Sequence, residues 1–104
     1  MADRFRLVFS PRFSSDLHAI FGYIQRDSPQ NAAGMVRKII DAVDSLELFP
    51  ERHPIAQDVR NPRGETRVMH VRPYLIFYRI LDKQQAVRLI TVRHGARRRP
   101  HRIE

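Results

Sequence analysis

Tyr74-Leu75-Ile76-Phe77-Tyr78-Arg79-Ile80-Leu81, then Asp82-Lys83-Gln84-Gln85, then Ala86-Val87-Arg88-Leu89-Ile90-Thr91-Val92 is the stretch that decides the fold. The first run is β-branched and aromatic, the middle is polar and turn-like, and the last is apolar again. Together they read as a β-hairpin. Leu75, Phe77 and Leu81 point one way from the first strand; Tyr74, Ile76, Tyr78 and Ile80 point the other. A strand apolar on both faces belongs inside a sheet. Upstream, Thr66 to Val71 reads as one more strand, with Arg72-Pro73 as the break before the central one, because proline disfavours helix in the residue before it. Downstream, Arg93-His94-Gly95-Ala96-Arg97-Arg98-Arg99 brings a cluster of guanidinium groups to one edge of the sheet.

The first half is built on other periods. Arg4 to Phe9 alternates, with Phe5, Leu7 and Phe9 on one face, and reads as a strand. Ser10-Pro11 then supplies an N-cap and a proline at the first helical position. Phe13, Leu17, Ile20, Phe21 and Ile24 recur at helical spacing, which predicts a helix of about four turns ending near Arg26. The same start signal returns at Ser28-Pro29. Ala32, Met35, Val36, Ile39, Ile40, Val43, Leu46 and Phe49 trace a longer apolar stripe that Pro50 stops. A link of one or two residues makes the two helices a hairpin whose stripes cover one face of a sheet. Residues 51 to 65 lack a period and hold Pro54, Pro62, Asn61 and Gly64; a loop of about fifteen residues in a small domain is often functional or mobile. The order β-α-α-β-β-β predicts a single α+β domain over residues 1 to 104, a helical hairpin packed on a small antiparallel sheet, with 93 to 104 as a basic C-terminal tail.

With 104 residues the chain fits one core. No apolar run reaches the roughly 20 residues of a membrane helix. Met1-Ala2-Asp3-Arg4 leads straight into strand-like sequence rather than a signal peptide, and the absence of cysteine fits a reducing compartment, so the expected location is cytoplasmic. It also excludes thiol nucleophiles and cysteine metal sites. The formal net charge is +8, unevenly placed: residues 1 to 59 hold 7 basic and 8 acidic groups, residues 60 to 104 hold 12 and 3. Arginine accounts for 17 of the 19 basic residues, and its planar fork suits carboxylate or phosphate. The expected partner is therefore anionic. The histidines His18, His53, His70, His94 and His101 show no i, i+4 pairing and the glycines are scattered, so neither a metal site nor a nucleotide cofactor is indicated.

Several features now look familiar in combination: the strand-helix-helix start, Leu46-Glu47-Leu48-Phe49-Pro50 closing the second helix, Arg72-Pro73-Tyr74-Leu75-Ile76-Phe77-Tyr78-Arg79, and Val92-Arg93-His94-Gly95-Ala96-Arg97. The chain resembles the RelE/ParE superfamily of toxins from bacterial type II toxin-antitoxin systems, and within it the ParE-like branch. The resemblance implies a small basic toxin neutralised by a cognate acidic antitoxin in a hetero-oligomeric complex. One branch of that superfamily cuts messenger RNA on the ribosome with basic groups from the sheet, commonly an arginine near the start of the central strand, and often a tyrosine or histidine near the C-terminus. The ParE-like branch poisons DNA gyrase. Here the position matching that central-strand arginine is Leu75, and no tyrosine follows Tyr78.

Metal-independent RNA cleavage needs proton transfer and cations around a charged phosphorane. His94 could move the proton, and Arg67, Arg79 and Arg97 could carry the charge if pleating gathers them on one side. If the chain only binds its target or antitoxin, Arg72, Arg79, Arg93, Arg97, Arg98 and Arg99 are the candidate contacts. The run from Arg97 to Arg102 reads equally as a solvated tail or as a contact for acidic protein or phosphate. Three classes follow: a gyrase-binding toxin, which leads; a ribosome-dependent endoribonuclease; and a basic nucleic-acid-binding module, against which both helices stand committed to the core.

Overall fold

The computed structural model describes residues 4 to 96 and 102 to 104. Strand β1 (Arg6–Phe9) leads into helices α1 (Pro11–Gln25) and α2 (Pro29–Asp44); after a long loop come β2 (Arg67–Val71), β3 (Tyr74–Leu81) and β4 (Ala86–His94). This is the expected α+β order, two helices on one four-stranded sheet.

The strand order is β1-β4-β3-β2. Consecutive strands β2, β3 and β4 pair antiparallel, through the two-residue turn Arg72-Pro73 and a 3₁₀ turn at Asp82–Gln84. Strand β1 joins β4 in parallel, with Arg6 opposite Ala86 and Phe9 opposite Leu89. A hairpin of helices between β1 and the rest of the sheet permits this, since a parallel pairing needs a long crossover. One irregularity interrupts β3 and β4: Phe77 faces Thr91 but Tyr78 faces Leu89, so β4 carries one extra residue there.

Both helix starts work as the sequence indicates. Ser10 Oγ accepts from the Phe13 amide at 3.0 Å and Ser28 Oγ accepts from the Asn31 amide at 3.2 Å. The Ser10 hydroxyl also donates to the Ile90 carbonyl at 2.7 Å, which fastens the start of α1 to β4.

Two apolar clusters sandwich the sheet. On the helix side Phe13, Ile39, Val43 and Leu46 pack on Met69, Tyr74, Ile76, Tyr78, Leu89 and Val92. On the other side Ala56, Val59, Val68, Leu75, Phe77, Ile90 and Ile103 form a second, smaller core. The two-faced character of β3 is thus real, and the loop after α2 explains it: Ala56 and Val59 insert beneath the sheet, so part of the 51 to 65 loop is a structural cover. The backbone supports that seat, with the Ala56 amide donating to Thr66 O and the Val68 amide to Pro54 O.

The stripe on α2 ends sooner than its periodicity indicates. The helix stops at Asp44, a 3₁₀ turn (Ser45–Glu47) keeps Leu46 buried, and Phe49 is 60% exposed with φ of 50°. Proline at 50 removes the helical option for Phe49, and the Arg52 side chain holds the turn by donating to the carbonyls of Leu48 and Phe49. Of the α1 stripe only Phe13 is fully buried. Residues Arg97 to His101, which include most of the basic run, lie outside the described residues. Ile103 and Glu104 are docked on and beside the second core, with Ile103 2% exposed, while Arg102 makes a backbone bridge to Arg60 and stays exposed.

Candidate functional site

The basic residues separate into three places, because neighbouring positions on a strand alternate in direction. Arg67 stands opposite Tyr78, on the helix side of the sheet, where one guanidinium nitrogen donates to the carbonyls of Glu51 at 3.0 Å and His53 at 2.7 Å. Arg79 points to the other face; it donates to the Arg63 carbonyl at 3.2 Å and lies 3.4 Å from Glu104. His94 is at the far end of the sheet, opposite Tyr74. Five positions along β3 separate the two ends, about 17 Å at the usual strand rise. Arg67, Arg79 and His94 therefore do not converge on one phosphate.

A different set does come together. Strand β1 ends at Phe9, so among the described residues β4 beyond Leu89 has no strand on that side, and α1 lies along that edge instead. Asp16 closes the first part: its carboxylate accepts from the Thr91 hydroxyl and, at 3.3 Å, from the Val92 amide. Past Asp16 an open groove of about 870 Å³ runs between α1 and β4, lined by Ile20, Tyr23 and Arg26 from the helix and by Val92, Arg93 and His94 from the strand. Tyr23 is 72% exposed at its rim. Arg72, on the turn between β2 and β3, lies at the same end of the sheet, tied to it by the Gly95 amide donating to the Pro73 carbonyl at 2.7 Å.

The His94 ring meets Tyr74 edge-on, with centroids 5.4 Å apart, and its Nδ1 accepts from the Ala96 amide at 3.0 Å. With Nδ1 accepting, the neutral ring carries its hydrogen on Nε2. Leu75, where the nuclease branch commonly has arginine, is 7% exposed within the second core. Arg97, Arg98 and Arg99 fall outside the described residues. Among the described residues no group of three histidine, aspartate or glutamate side chains is placed to hold a metal ion.

Sequence reasoning placed Arg93 and His94 at a sheet edge and Arg72 at the break before the central strand, and missed what faces them. Tyr23 and Arg26 were legible only as polar-face residues of α1, although an exposed tyrosine beside the stripe was a usable signal. Arg88 and Asn61, which hold Glu104, carried no signal at all.

Residues 7–99 match the family described as ParE toxin of type II toxin-antitoxin system, parDE. The chain is 34% identical over 92 residues to Toxin RelE2 of Caulobacter vibrioides, covering 88% of this chain and 97% of that protein. It belongs to the ParE toxin family, within the RelE/ParE superfamily. Solved structures share the fold: the chromosomal ParDE system from P. aeruginosa, with a TM-score of 0.67, 17% identity and 88% and 96% of the two chains covered, and the toxin-antitoxin complex RelBE2 from Mycobacterium tuberculosis, with a TM-score of 0.58, 23% identity and 91% and 95% covered. Neighbours named for ParDE and for RelBE2 thus share this fold.

Proposed function

We propose that this toxin acts by binding DNA gyrase, without catalysis of its own, and is neutralised by a cognate acidic antitoxin. The observation that carries the reading is the dispersal of the nuclease candidates: Arg67 and Arg79 are occupied on opposite faces and His94 stands at the far end of the sheet, while Leu75, at the position of the nuclease branch's arginine, is sealed in the second core. Inhibition by binding asks for shape and charge at one surface, and the α1–β4 groove with Arg26, Arg93 and the neighbouring Arg72 supplies both. An acidic antitoxin segment complements the same charge. Both gyrase and ribosome imply action in the cytoplasm, and among the described residues no helix is long and apolar enough to cross a membrane.

A ribosome-dependent nuclease is the second reading, favoured by the placement of His94 beside Arg93 and Arg26. His94→Ala separates the two. The binding reading expects growth inhibition to persist in that variant, with gyrase-linked DNA breaks in the parent. Loss of a general acid or base costs about a hundredfold to ten-thousandfold in rate. Cut messenger RNA on translating ribosomes that disappears in His94→Ala, with no gyrase-linked breaks in the parent, would overturn the proposal. Co-expression with the neighbouring acidic gene product should yield a complex that withstands moderate salt.

A further inference from the structure

Arg79 on β3 and Arg88 on β4 stand directly opposite each other. Like charges so placed destabilise a sheet unless an anion lies between them. The extra residue on β4 creates this pairing, since an unbroken register from Tyr74 and His94 would set Leu89 against Arg79. The carboxylate of Glu104 fills the gap. One oxygen lies 2.8 Å from Arg88 Nε; the other accepts from Asn61 Nδ2 at 3.0 Å and lies 3.4 Å from Arg79 Nε. The Glu104 side chain is 9% exposed. Arg79 Nε is buried and makes no hydrogen bond among the described residues; what holds it to Glu104 is the 3.4 Å ion pair alone.

Beside the slot, Ile103 fills a hollow formed by Ala56, Val59, Val68, Leu75, Phe77 and Ile90. Its amide donates to the Arg60 carbonyl at 3.0 Å, its own carbonyl accepts from Arg12 Nη1 at 3.1 Å, and Arg102 bridges Arg60 in parallel. Backbone pairing, an apolar pocket and a charged clamp are the means by which a sheet recognises an extended peptide.

We propose that this back face is a peptide-binding site, occupied in cis by Ile103-Glu104 and able to accept in trans an extended partner segment with an apolar residue followed directly by an acidic one. Among the described residues Ile103 is the one member of the second cluster from outside residues 56 to 90, so exchanging it leaves the remainder of that cluster in place. Arg79 Nε is held to Glu104 only by an ion pair at 3.4 Å, so an incoming carboxylate that meets it in line gains a hydrogen bond that Glu104 does not make. A tethered segment competes at an effective concentration on the order of millimolar, so a partner displaces it only when held by a second contact elsewhere. This site is separate from the α1–β4 groove and independent of which target the toxin has.

The test uses the full chain carrying Glu104→Gln, which keeps the side-chain shape and removes the charge. The probe is a short peptide containing Arg-Ile-Glu, acetylated and amidated at its ends, and the readout is the Ile103 methyl resonance. A hydrogen bond to a charged group is worth about tenfold to a hundredfold in affinity, so the peptide should displace Ile103 from Glu104→Gln at a concentration at least about tenfold lower than from the parent. A peptide with glutamine in place of glutamate should lose that advantage. An Ile103 resonance unmoved at about 10 mM peptide, several times the tether's effective concentration, would overturn the proposal and leave a fixed structural latch. Displacement by a dinucleotide at lower concentration than by the peptide would also overturn it, assigning the slot to nucleic acid. If Glu104→Gln does not fold, the parent chain is titrated to several tens of millimolar with the same readout, and an unmoved resonance there is equally decisive.

Discussion

Thr91 on β4 donates its hydroxyl hydrogen to the carboxylate of Asp16 on α1, and the same carboxylate accepts from the adjacent Val92 amide. A helix side chain thereby takes the place of the strand that is missing beyond the end of β1. Unpaired strand edges are sites of unwanted association, and one acidic residue here blunts the edge while leaving the groove beyond it open.

Asp16→Ala should cost about 1 to 3 kcal/mol, the usual penalty for leaving a buried donor without its partner. Thr91 is fully buried, so Thr91→Val, which removes both the hydroxyl and its need for a partner, should cost less than Asp16→Ala. Chemical denaturation of the two variants checks the order. Equal losses would place the value of the contact in the Thr91 hydroxyl rather than in the cap on Val92.

The two helix caps should differ in worth. Loss of a serine cap typically costs about 1 kcal/mol, and Ser28→Ala at its more exposed site should stay near that figure. Ser10 is 4% exposed and holds both the Phe13 amide and the Ile90 carbonyl, so Ser10→Ala should exceed Ser28→Ala by about 1 kcal/mol. Denaturation midpoints at unchanged slope are the measurement.

Tyr78 is wholly buried at the middle of β3 and donates its phenol hydrogen to the carbonyl of Pro50. Tyr78→Phe should lower stability by about 1 to 2 kcal/mol while leaving the packing of the ring. Burial is the main reason that the phenol is pushed up to about 12, with the charges of Arg67 and Arg52 working against it. Since the folded value lies above the ordinary 10.0, the unfolded chain ionises first. The contribution is complete below pH 10 and is lost as pH rises through the folded value. Tyr78→Phe should remove that alkaline slope from a pH series of melting temperatures.

Acid should act in two windows. Burial, followed by the charges of Arg52 and His70, holds His53 below its ordinary 6.5, so its contribution is present above that value and is lost as pH falls through the folded one. Burial alone would raise Glu104, but hydrogen bonds from Arg88 and Asn61 and the charge of Arg79 outweigh it and hold the carboxyl below the usual 4.5. That contribution is present above 4.5 and disappears at lower pH than the histidine step. His53→Asn should flatten the first decline only, and Glu104→Gln the second only, in melting temperatures followed from pH 7.5 to 3.

Local patterns carried the elements. Serine followed by proline started both helices where the sequence indicates, and the double-faced apolar run of Tyr74 to Leu81 became the strand between β2 and β4. These depend on periodicity and on short-range hydrogen bonds, which neighbouring residues determine. The end of α2 was harder to read, because Leu46 stays buried in a 3₁₀ turn and prolongs the apolar spacing past the last α-helical residue.

Which arginines meet was decided only by the tertiary structure. One extra residue on β4, at the level of Phe77 and Tyr78, turns Arg88 toward Arg79; a strict register would have put Leu89 there, and slipping a strand by one residue reverses every side chain beyond it. The sheet likewise holds Arg67 and Arg79 on opposite faces and sets His94 against Tyr74, while α1, by following the edge that β1 leaves open, brings Tyr23 and Arg26 to the groove. The sequence by itself determined the toxin's order of strands and helices and its basic second half. Register and crossover, set by packing between residues far apart in the chain, determined which of those charges share a surface.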